Sequence, residues 1–170
     1  THPNLPQSLA ILAGLEDAMR KIGTCFALLF TLMPAGAGQA LASPEGDAVA
    51  VVRHYYRAIN DHHYRTAFKD WDHADSGVLP TGQTFTQFKR GFRDTAGVTV
   101  KAGPPGEIEG AMGSSYIEVP VTVRALSVQG AVQVFKGRYT LRRSNLSVAD
   151  GVTPDEQHWH LYSAHPRRVP

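Results

Sequence analysis

The hydrophobic pattern of the chain changes near Gly97, from a helical period before it to an alternating period after it. An apolar stripe at four-, three- and four-residue spacing runs through residues 48–59 and predicts an amphipathic helix. In residues 116–126, by contrast, apolar side chains occupy every second position, as expected of a strand with one buried face. Helices followed by hairpin-connected strands favour an α+β fold, in which the helices cover one face of an antiparallel sheet.

The first half of the chain predicts three helices. Ser43 and Pro44 supply a cap and a first-turn proline for a helix that ends near Asn60. A tight turn separates it from a second, shorter amphipathic helix in residues 64–71, so the two should pack as a hairpin. Thr84 is placed to cap a third helix, whose apolar side chains are Phe85, Phe88 and Phe92.

The second half predicts a curved antiparallel sheet. Its expected strands are residues 98–100, 107–112, 116–126, 131–143 and 157–164. Pro120 lies inside the third of these, which argues for an edge position or a bulge. An apparent change of parity near Lys136 and Gly137 suggests a bulge that bends the fourth strand. Such bends would wrap the sheet over the helices as a cone-shaped layer with a pocket at its open end.

A secretion signal is predicted in residues 19–42. A short basic head at residues 19–21 precedes an apolar stretch, and residues 40–42 form an Ala-x-Ala cleavage site. We therefore expect a mature domain of residues 43–170 in the periplasm or outside the cell. The apolar stretch is shorter than the roughly 20 residues of a spanning helix, so no membrane association is expected after cleavage. Residues 1–18 are interpreted as a mis-assigned start or added expression sequence, with a functional leader as the alternative.

Charge and cysteine content argue against several classes of function. The formal net charge is +2, and the arginines are spread along the chain instead of forming a dense basic face, so no nucleic-acid partner is expected. The one cysteine, Cys25, lies in the predicted signal. The mature domain would therefore contain no disulfide, thiolate metal site or cysteine nucleophile.

The sequence motifs give little support for a metal site or a hydrolase site. His158 and His160 share one face of the last predicted strand, while His62, His63 and His73 lie in turns that could approach a shared site. A metal centre needs three or four ligands with an orienting second shell, so a polar strand face and exposed turns are the favoured interpretation. No Gly-x-Ser-x-Gly or phosphate-loop motif is present, and no metal or cofactor is predicted.

Four short segments resemble the nuclear transport factor 2-like superfamily, and in particular its secreted bacterial members. They are Tyr55-Tyr56-Arg57-Ala58-Ile59-Asn60 with Tyr64 and Trp71, then residues 88–95, Gly137-Arg138-Tyr139-Thr140-Leu141, and Gln157-His158-Trp159. The resemblance covers roughly residues 47–164. It implies a curved, mostly antiparallel sheet on three helices, often in a homodimer. The superfamily includes ketosteroid isomerase, polyketide-cyclase-like enzymes, dehydratases, transport adaptors and binding proteins, so the fold alone does not assign a function.

The resemblance to the isomerase is partial. Tyr55, five residues before Asn60, matches the position of the oxyanion tyrosine on the isomerase's first helix. Where that family's base would follow the second helix, this chain has Asp72 and Asp75 before a loop with glycines and a proline. We expect both acids to lie in a solvated loop, and Tyr55 to line a core or pocket. An enzyme would instead require a buried carboxylate facing Tyr55 across a closed pocket.

Large aromatic side chains are the most suggestive candidates for a binding site. If they line the open end of the cone, they would bind a small apolar or amphipathic ligand. The chain is therefore predicted to be a secreted ligand-binding or protein-interaction domain. A cofactor-free isomerase or dehydratase of the ketosteroid-isomerase type is the alternative. The candidate ligand-binding residues are Tyr55, Trp71, Phe85, Phe88, Tyr116, Phe135 and Trp159.

Overall fold

The computed structural model describes residues 43–170, apart from the side chain of Ala74. The predicted signal in residues 19–42 and the segment upstream of it lie outside this range. Within the described range, no helix is both long enough and apolar enough to cross a bilayer. In residues 43–170, three α-helices pack against one six-stranded, curved and unclosed antiparallel sheet, which confirms the predicted α+β class.

Local capping sets the helix boundaries. Helix α1 spans Pro44–Asn60, and the Ser43 side chain at its start accepts a hydrogen bond from the Gly46 amide at 3.1 Å. Helix α2 spans Tyr64–Lys69 and is shorter than predicted, because the chain leaves the helix before Trp71. Helix α3 spans Phe85–Gly91 and begins with a reciprocal capping box between Thr84 and Gln87.

The sheet follows the predicted order with longer strands in its centre. The strands are β1 Thr95–Ala102, β2 Glu109–Ala111, β3 Ser114–Ser127, β4 Val132–Ser144, β5 His160–Ala164 and β6 Arg167–Val169. The main path is β1-β3-β4-β5, with β2 also pairing with β3 and β6 with β4. Short 3₁₀ turns at Ala74–Ser76, Val148–Asp150 and Asp155–Gln157 occupy the loops. The last predicted strand is therefore shorter than expected.

Pro120 lies in a central strand, yet its missing N–H leaves no gap in the ladder. The Pro120 carbonyl accepts from the Gly103 amide at 2.8 Å, so the backbone polar groups of this residue face the β1 side. There β1 has ended at Ala102 and β2 does not begin until Glu109. The proline thus occupies a local interruption of the neighbouring strand and not an edge strand or a bulge.

The predicted bulge near Lys136 and Gly137 is wrong. Pairing between β3 and β4 is continuous there, from Thr122 opposite Lys136 to Pro120 opposite Arg138. Odd-numbered residues of β4 face the helices on both sides of Gly137, so the parity does not change. The sequence pattern suggested a bulge because Val132 and Val134 are apolar, although they lie on the face of β4 that points away from the helices. The irregularities in pairing lie between Thr95 and Gly97, and between Thr140 and Leu141.

The two faces of the sheet differ in chemistry. Odd-numbered residues of β3 and β4 are buried against the helices, as expected of a half-buried sheet. Even-numbered residues form what we call the outer face, which carries mostly polar and charged side chains. The largest fully buried side chains include Tyr56, Tyr139, Ile117, Leu141 and Leu161. The core therefore fills the space between the sheet and α1.

Candidate functional site

Four aromatic rings meet in the interior of the domain. Tyr55 lies within 6.1–6.3 Å of the ring centres of Trp71, Phe88 and Tyr139, and all four residues are buried. These tilted and edge-to-face contacts are the geometries that aromatic rings prefer, and they add to the free energy gained by burial. Three of the seven predicted ligand-binding residues, Tyr55, Trp71 and Phe88, thus pack on one another inside the cone.

The tyrosine hydroxyls of this cluster are protonated hydrogen-bonding groups. The Tyr56 and Tyr139 hydroxyl oxygens lie 2.8 Å apart. Burial, reinforced by the neighbouring phenols, raises the pKa of both well above the usual range. Burial also raises the pKa of Tyr55, and Tyr139 and Asp70 add to the effect, while the nearby Trp71 indole opposes it. No deprotonated tyrosine is therefore expected in this cluster near neutral pH.

The other predicted ligand-binding residues lie apart from this cluster. Phe85 is half-buried, packs on Phe68 and lies 4.4 Å beneath the Arg65 guanidinium. Tyr116 lies on the outer face, with its ring edge-on to Tyr162. Phe135 is buried in β4, and the buried Trp159 donates its indole N–H to the Pro44 carbonyl at 2.8 Å. The set does not form one wall, and its role in ligand binding stays a prediction.

A cleft of about 550 Å³, which we call the polar cleft, opens beside this interior. It lies between residues 69–76, which begin at the last residue of α2, and residues 153–160, which end at the first residue of β5. Its volume falls within the range of small-molecule sites in proteins. The lining residues are Lys69, Trp71, Asp72, His73, Asp75, Ser76, Thr153, Asp155, Glu156 and His160.

Backbone pairing fixes one wall of the polar cleft. The Asp72 amide donates to the Leu161 carbonyl at 2.9 Å, and the Leu161 amide donates to the Asp70 carbonyl at 2.8 Å. Residues 70–72 therefore lie as a short parallel extension beside β5, centred on the bridge between Trp71 and Leu161. Because successive side chains in extended chain alternate, Trp71 points inward with Leu161 and Asp72 points to the other side.

Asp72 is the best-anchored acid of the cleft. An Asp72 carboxylate oxygen accepts from Arg142 Nη1 at 2.9 Å, and Arg142 Nε donates to the Ser114 hydroxyl at 3.1 Å. Partial burial alone would lower the pKa of Arg142, but the hydrogen bond and charge of Asp72 raise it above its usual value. Asp72 is only 6% exposed, so the expected solvated-loop position is wrong for it. Asp75 is exposed, as expected.

Two histidines complete the polar side of the cleft. His73 adopts a left-handed conformation with φ of 56°, which places its Nε2 3.5 Å from an Asp72 carboxylate oxygen. Such a conformation is uncommon for residues other than glycine and recurs at functional sites. His160 faces Asp155, with its Nε2 3.0 Å from the Asp155 carbonyl oxygen.

Two buried nitrogen atoms that belong to residues lining this cleft have no hydrogen-bond partner. In residues 43–170, Trp71 Nε1 and His160 Nδ1 are the buried side-chain polar atoms left without one. The Trp71 indole lies near the Tyr55 hydroxyl and affects its pKa, but the geometry is not that of a hydrogen bond. Buried polar groups are nearly always satisfied, and each exception needs an explanation such as a ligand or water. Both residues line the polar cleft.

The rim of the cleft is acidic. The Glu156 carboxylate accepts from the Thr153 backbone amide and hydroxyl, and these bonds hold the pKa of Glu156 below its usual value. Asp75 and Asp155 are exposed. Among the residues that line the cleft, Lys69 is the one lysine, and there is no arginine. Since Arg142 neutralises Asp72, the remaining charge of the cleft is negative near neutral pH.

A histidine–aspartate pair lies next to the cleft. His54 Nδ1 lies 2.9 and 3.0 Å from the two carboxylate oxygens of Asp70. Burial raises the pKa of Asp70, although the charges of His54 and His160 oppose this. In the part of the chain that the structure describes, no group of three or more histidine and acidic side chains is arranged to hold a metal ion.

Sequence reasoning did not find Arg142, Asp70 or His54. Strand pairing could have indicated Arg142, because it lies opposite both Tyr116 on β3 and His160 on β5. His54 lies in α1 and Asp70 follows the end of α2, sixteen residues later, and no local pattern joins them. The two histidine groups predicted to approach a common site are separated, since His62 and His63 line a different cleft at the start of α2.

Structural comparisons place this geometry on a known fold. A nuclear transport factor 2-like superfamily protein from Salmonella enterica matches at 16% identity and a TM-score of 0.50, over 75% of this chain and 92% of that protein. A Novosphingobium aromaticivorans protein provisionally assigned as a scytalone dehydratase matches at 10% identity and a TM-score of 0.49, over 72% and 81% of the two chains. No protein-family model and no curated protein sequence matches the chain. The chain therefore has the nuclear transport factor 2-like fold.

Proposed function

We propose that the protein is a secreted or periplasmic domain that binds a small polar molecule in the polar cleft. One observation carries the proposal: the buried His160 Nδ1, which has no hydrogen-bond partner, belongs to a residue that lines the same cleft as the anchored Asp72 carboxylate. A bound molecule with a hydrogen-bonding group would satisfy this atom, which the protein leaves unsatisfied.

The charge of the cleft favours a ligand with a protonated amine. Glu156 is held ionised, and Asp75 and Asp155 extend the negative charge along the rim. A small amino alcohol or diamine would place its ammonium group near these carboxylates and its other polar group towards His160. This differs from the apolar or amphipathic ligand expected from the sequence, because several aromatic side chains invoked there are packed in the interior.

The test is a thermal and NMR titration of the purified protein with ethanolamine, 1,4-diaminobutane and their neutral alcohol analogues. We expect an amine to raise the melting temperature and to shift the amide signals of His73 and His160, while the neutral analogue does neither. Asp75→Asn with Asp155→Asn should weaken the effect at least about tenfold, which corresponds to about 1.4 kcal/mol of binding free energy.

The matched control carries Glu107→Gln and Glu109→Gln, two exposed acids whose removal changes the net charge by the same amount. This control should bind the amines like the wild type. Equal weakening in both variants would show non-specific attraction to exposed acidic side chains and contradict the proposed site. The absence of any amine-dependent shift at His73 or His160 would contradict it as well.

Acid–base catalysis of the isomerase or dehydratase type is a second candidate. It is favoured by the Asp72–His73 contact, in which a carboxylate held by Arg142 lies beside an exposed imidazole at the cleft. Imidazole side chains are common general acids and bases in enzymes. The probe is a small β,γ-unsaturated ketone whose conversion to the conjugated isomer is followed by ultraviolet absorbance. Turnover that survives His73→Gln, or no turnover above buffer, would rule out this role.

A further inference from the structure

A second concavity lies on the outer face, away from the polar cleft. It has a volume of about 700 Å³ and spans β3 and β4 between two connections, residues 103–108 and residues 165–166. We call it the basic groove. The charged residues among its lining are Glu118, Arg138 and Arg167, with His165 beside them.

Cations outnumber acids in and around the basic groove: Arg138 and Arg167 line it with the single acid Glu118, and Lys136 lies beside it. Lys136 on β4 lies directly opposite Arg167 on β6, so both side chains leave the sheet on the same face. Arg138 lies two residues further along β4 on that face and pairs with Glu118 at 2.8 Å. In residues 43–170, Lys136 and Arg167 take part in none of the salt bridges. Like charges directly opposite each other destabilise a sheet, and an anion between them would remove that cost.

Both walls of the basic groove are held in place by backbone contacts. On one side, the Gly103 and Gly106 amides each donate to β3 carbonyls at 2.8 Å, flanking Pro104 and Pro105. On the other, residues 165–166 run so close beside Gly137 that a Cβ there would clash with the His165 carbonyl, on the side of the sheet that faces the helices. The His165 amide also donates to the Arg138 carbonyl at 3.0 Å. A groove with such walls is formed before any ligand arrives, which lowers the entropic cost of binding.

We propose that the basic groove binds a small organic anion through its carboxylate or phosphate groups. Arg167 in the lining and Lys136 beside it carry two charges that take part in no salt bridge, and Arg138 supplies a third that can exchange Glu118 for the ligand. The guanidinium groups can form the two parallel hydrogen bonds that match carboxylate and phosphate oxygens. This proposal does not depend on the polar cleft, whose charge has the opposite sign.

The test is a calorimetric and NMR titration of the full chain with citrate and with inorganic phosphate, at constant ionic strength set with chloride. We expect a dissociation constant in the millimolar range or tighter, with shifts in the amide signals of Gly137 and Arg138. The double variant Lys136→Gln with Arg167→Gln should bind at least tenfold more weakly. The matched control, Arg53→Gln with Lys89→Gln, removes two exposed cations elsewhere and should bind within twofold of the wild type.

The same variants distinguish binding from misfolding. Without added anion, the Lys136→Gln, Arg167→Gln protein should melt no lower than the wild type, because the substitution removes a repulsive pair. Tighter citrate binding would assign polycarboxylates as the ligand class, and tighter phosphate binding would assign phosphate esters. Equal loss of binding in the control variant, or no binding of either anion by the wild type, would overturn the proposal.

Discussion

The aromatic interior and the polar cleft are neighbours that share Trp71, yet they are built in opposite ways. In the interior, the Tyr55 ring packs against the rings of Phe88 and Tyr139, and the Tyr139 hydroxyl forms a hydrogen bond with the Tyr56 hydroxyl. In the cleft, the buried His160 Nδ1 is left without a partner and His73 adopts an uncommon backbone conformation. The difference indicates that the interior contributes stability, whereas the cleft retains a polar group that its own residues do not satisfy.

The largest expected effect tests the interior. Tyr139→Ala should lower the free energy of unfolding by about 3–5 kcal/mol, because it removes a buried ring that contacts Tyr55, Tyr56 and Trp71. Tyr139→Phe keeps the ring and removes one hydroxyl partner, so it should cost only about 1 kcal/mol. Urea denaturation of both variants provides the measurement. A similar loss in the two variants would show that the hydrogen bond, and not the packing, dominates the interior.

The next effect tests the wall of the polar cleft. Asp72→Ala should cost about 2 kcal/mol, because it leaves the Arg142 guanidinium without its ion-pair partner. The loss is smaller than for a fully buried pair because the Arg142 side chain is 24% exposed. Asp75→Ala is the matched control, since Asp75 lines the same cleft but is exposed, and it should change stability by less than about 0.5 kcal/mol. Denaturation curves in which both variants lose the same amount would contradict the anchoring role of Asp72.

A smaller change of opposite sign is expected at His73. His73→Gly should raise the free energy of unfolding by about 0.5 kcal/mol, because glycine adopts a φ of 56° without the steric cost that a side chain incurs. His73→Ala keeps that cost and should show no gain. Thermal denaturation of the two variants under identical conditions measures the difference. If His73→Gly is destabilised as much as His73→Ala, the backbone at this position carries no strain.

The smallest effect concerns the pH dependence at Asp70. Its pKa is raised in the folded protein, so its carboxyl group favours folding in the protonated form, and that contribution is lost as the pH rises through the folded-state pKa. Asp70→Asn lacks this titration while His54 and His160 remain. The stability of the wild type relative to Asp70→Asn should therefore fall by some tenths of a kcal/mol between about pH 3 and pH 7. A difference that grows over this range in urea titrations would contradict burial as the dominant influence on Asp70.

Residues with a clear local signal were predicted well. The apolar stripe of α1, the caps at Ser43 and Thr84, and the alternation of β3 all appear in the structure, because each depends on neighbours within a few residues. The error at Gly137 has a physical cause. Val132 and Val134 were taken to face the core, but the opposite face of β4 also carries apolar residues near its β6 edge.

The candidate site was less accessible to sequence reasoning. Asp72 was expected in a solvated loop because its neighbours are polar and turn-forming, yet a salt bridge to Arg142, seventy positions later, buries it. The predicted aromatic set mixed core residues with surface residues, since an aromatic side chain has the same local signal in both places. Burial and pairing across the sheet decide between them, and neither is encoded in residues close in sequence.

By itself, the sequence determined the α+β order, the helix boundaries at their N-termini and the face of β3 that is buried. These features arise from backbone capping and from hydrophobic periodicity, which act over short stretches of chain. The tertiary structure alone decided that residues 70–72 extend β5, that Arg142 anchors Asp72, and that Lys136 lies opposite Arg167. Each of these contacts joins segments far apart in the chain, so it exists only once the sheet has set its register.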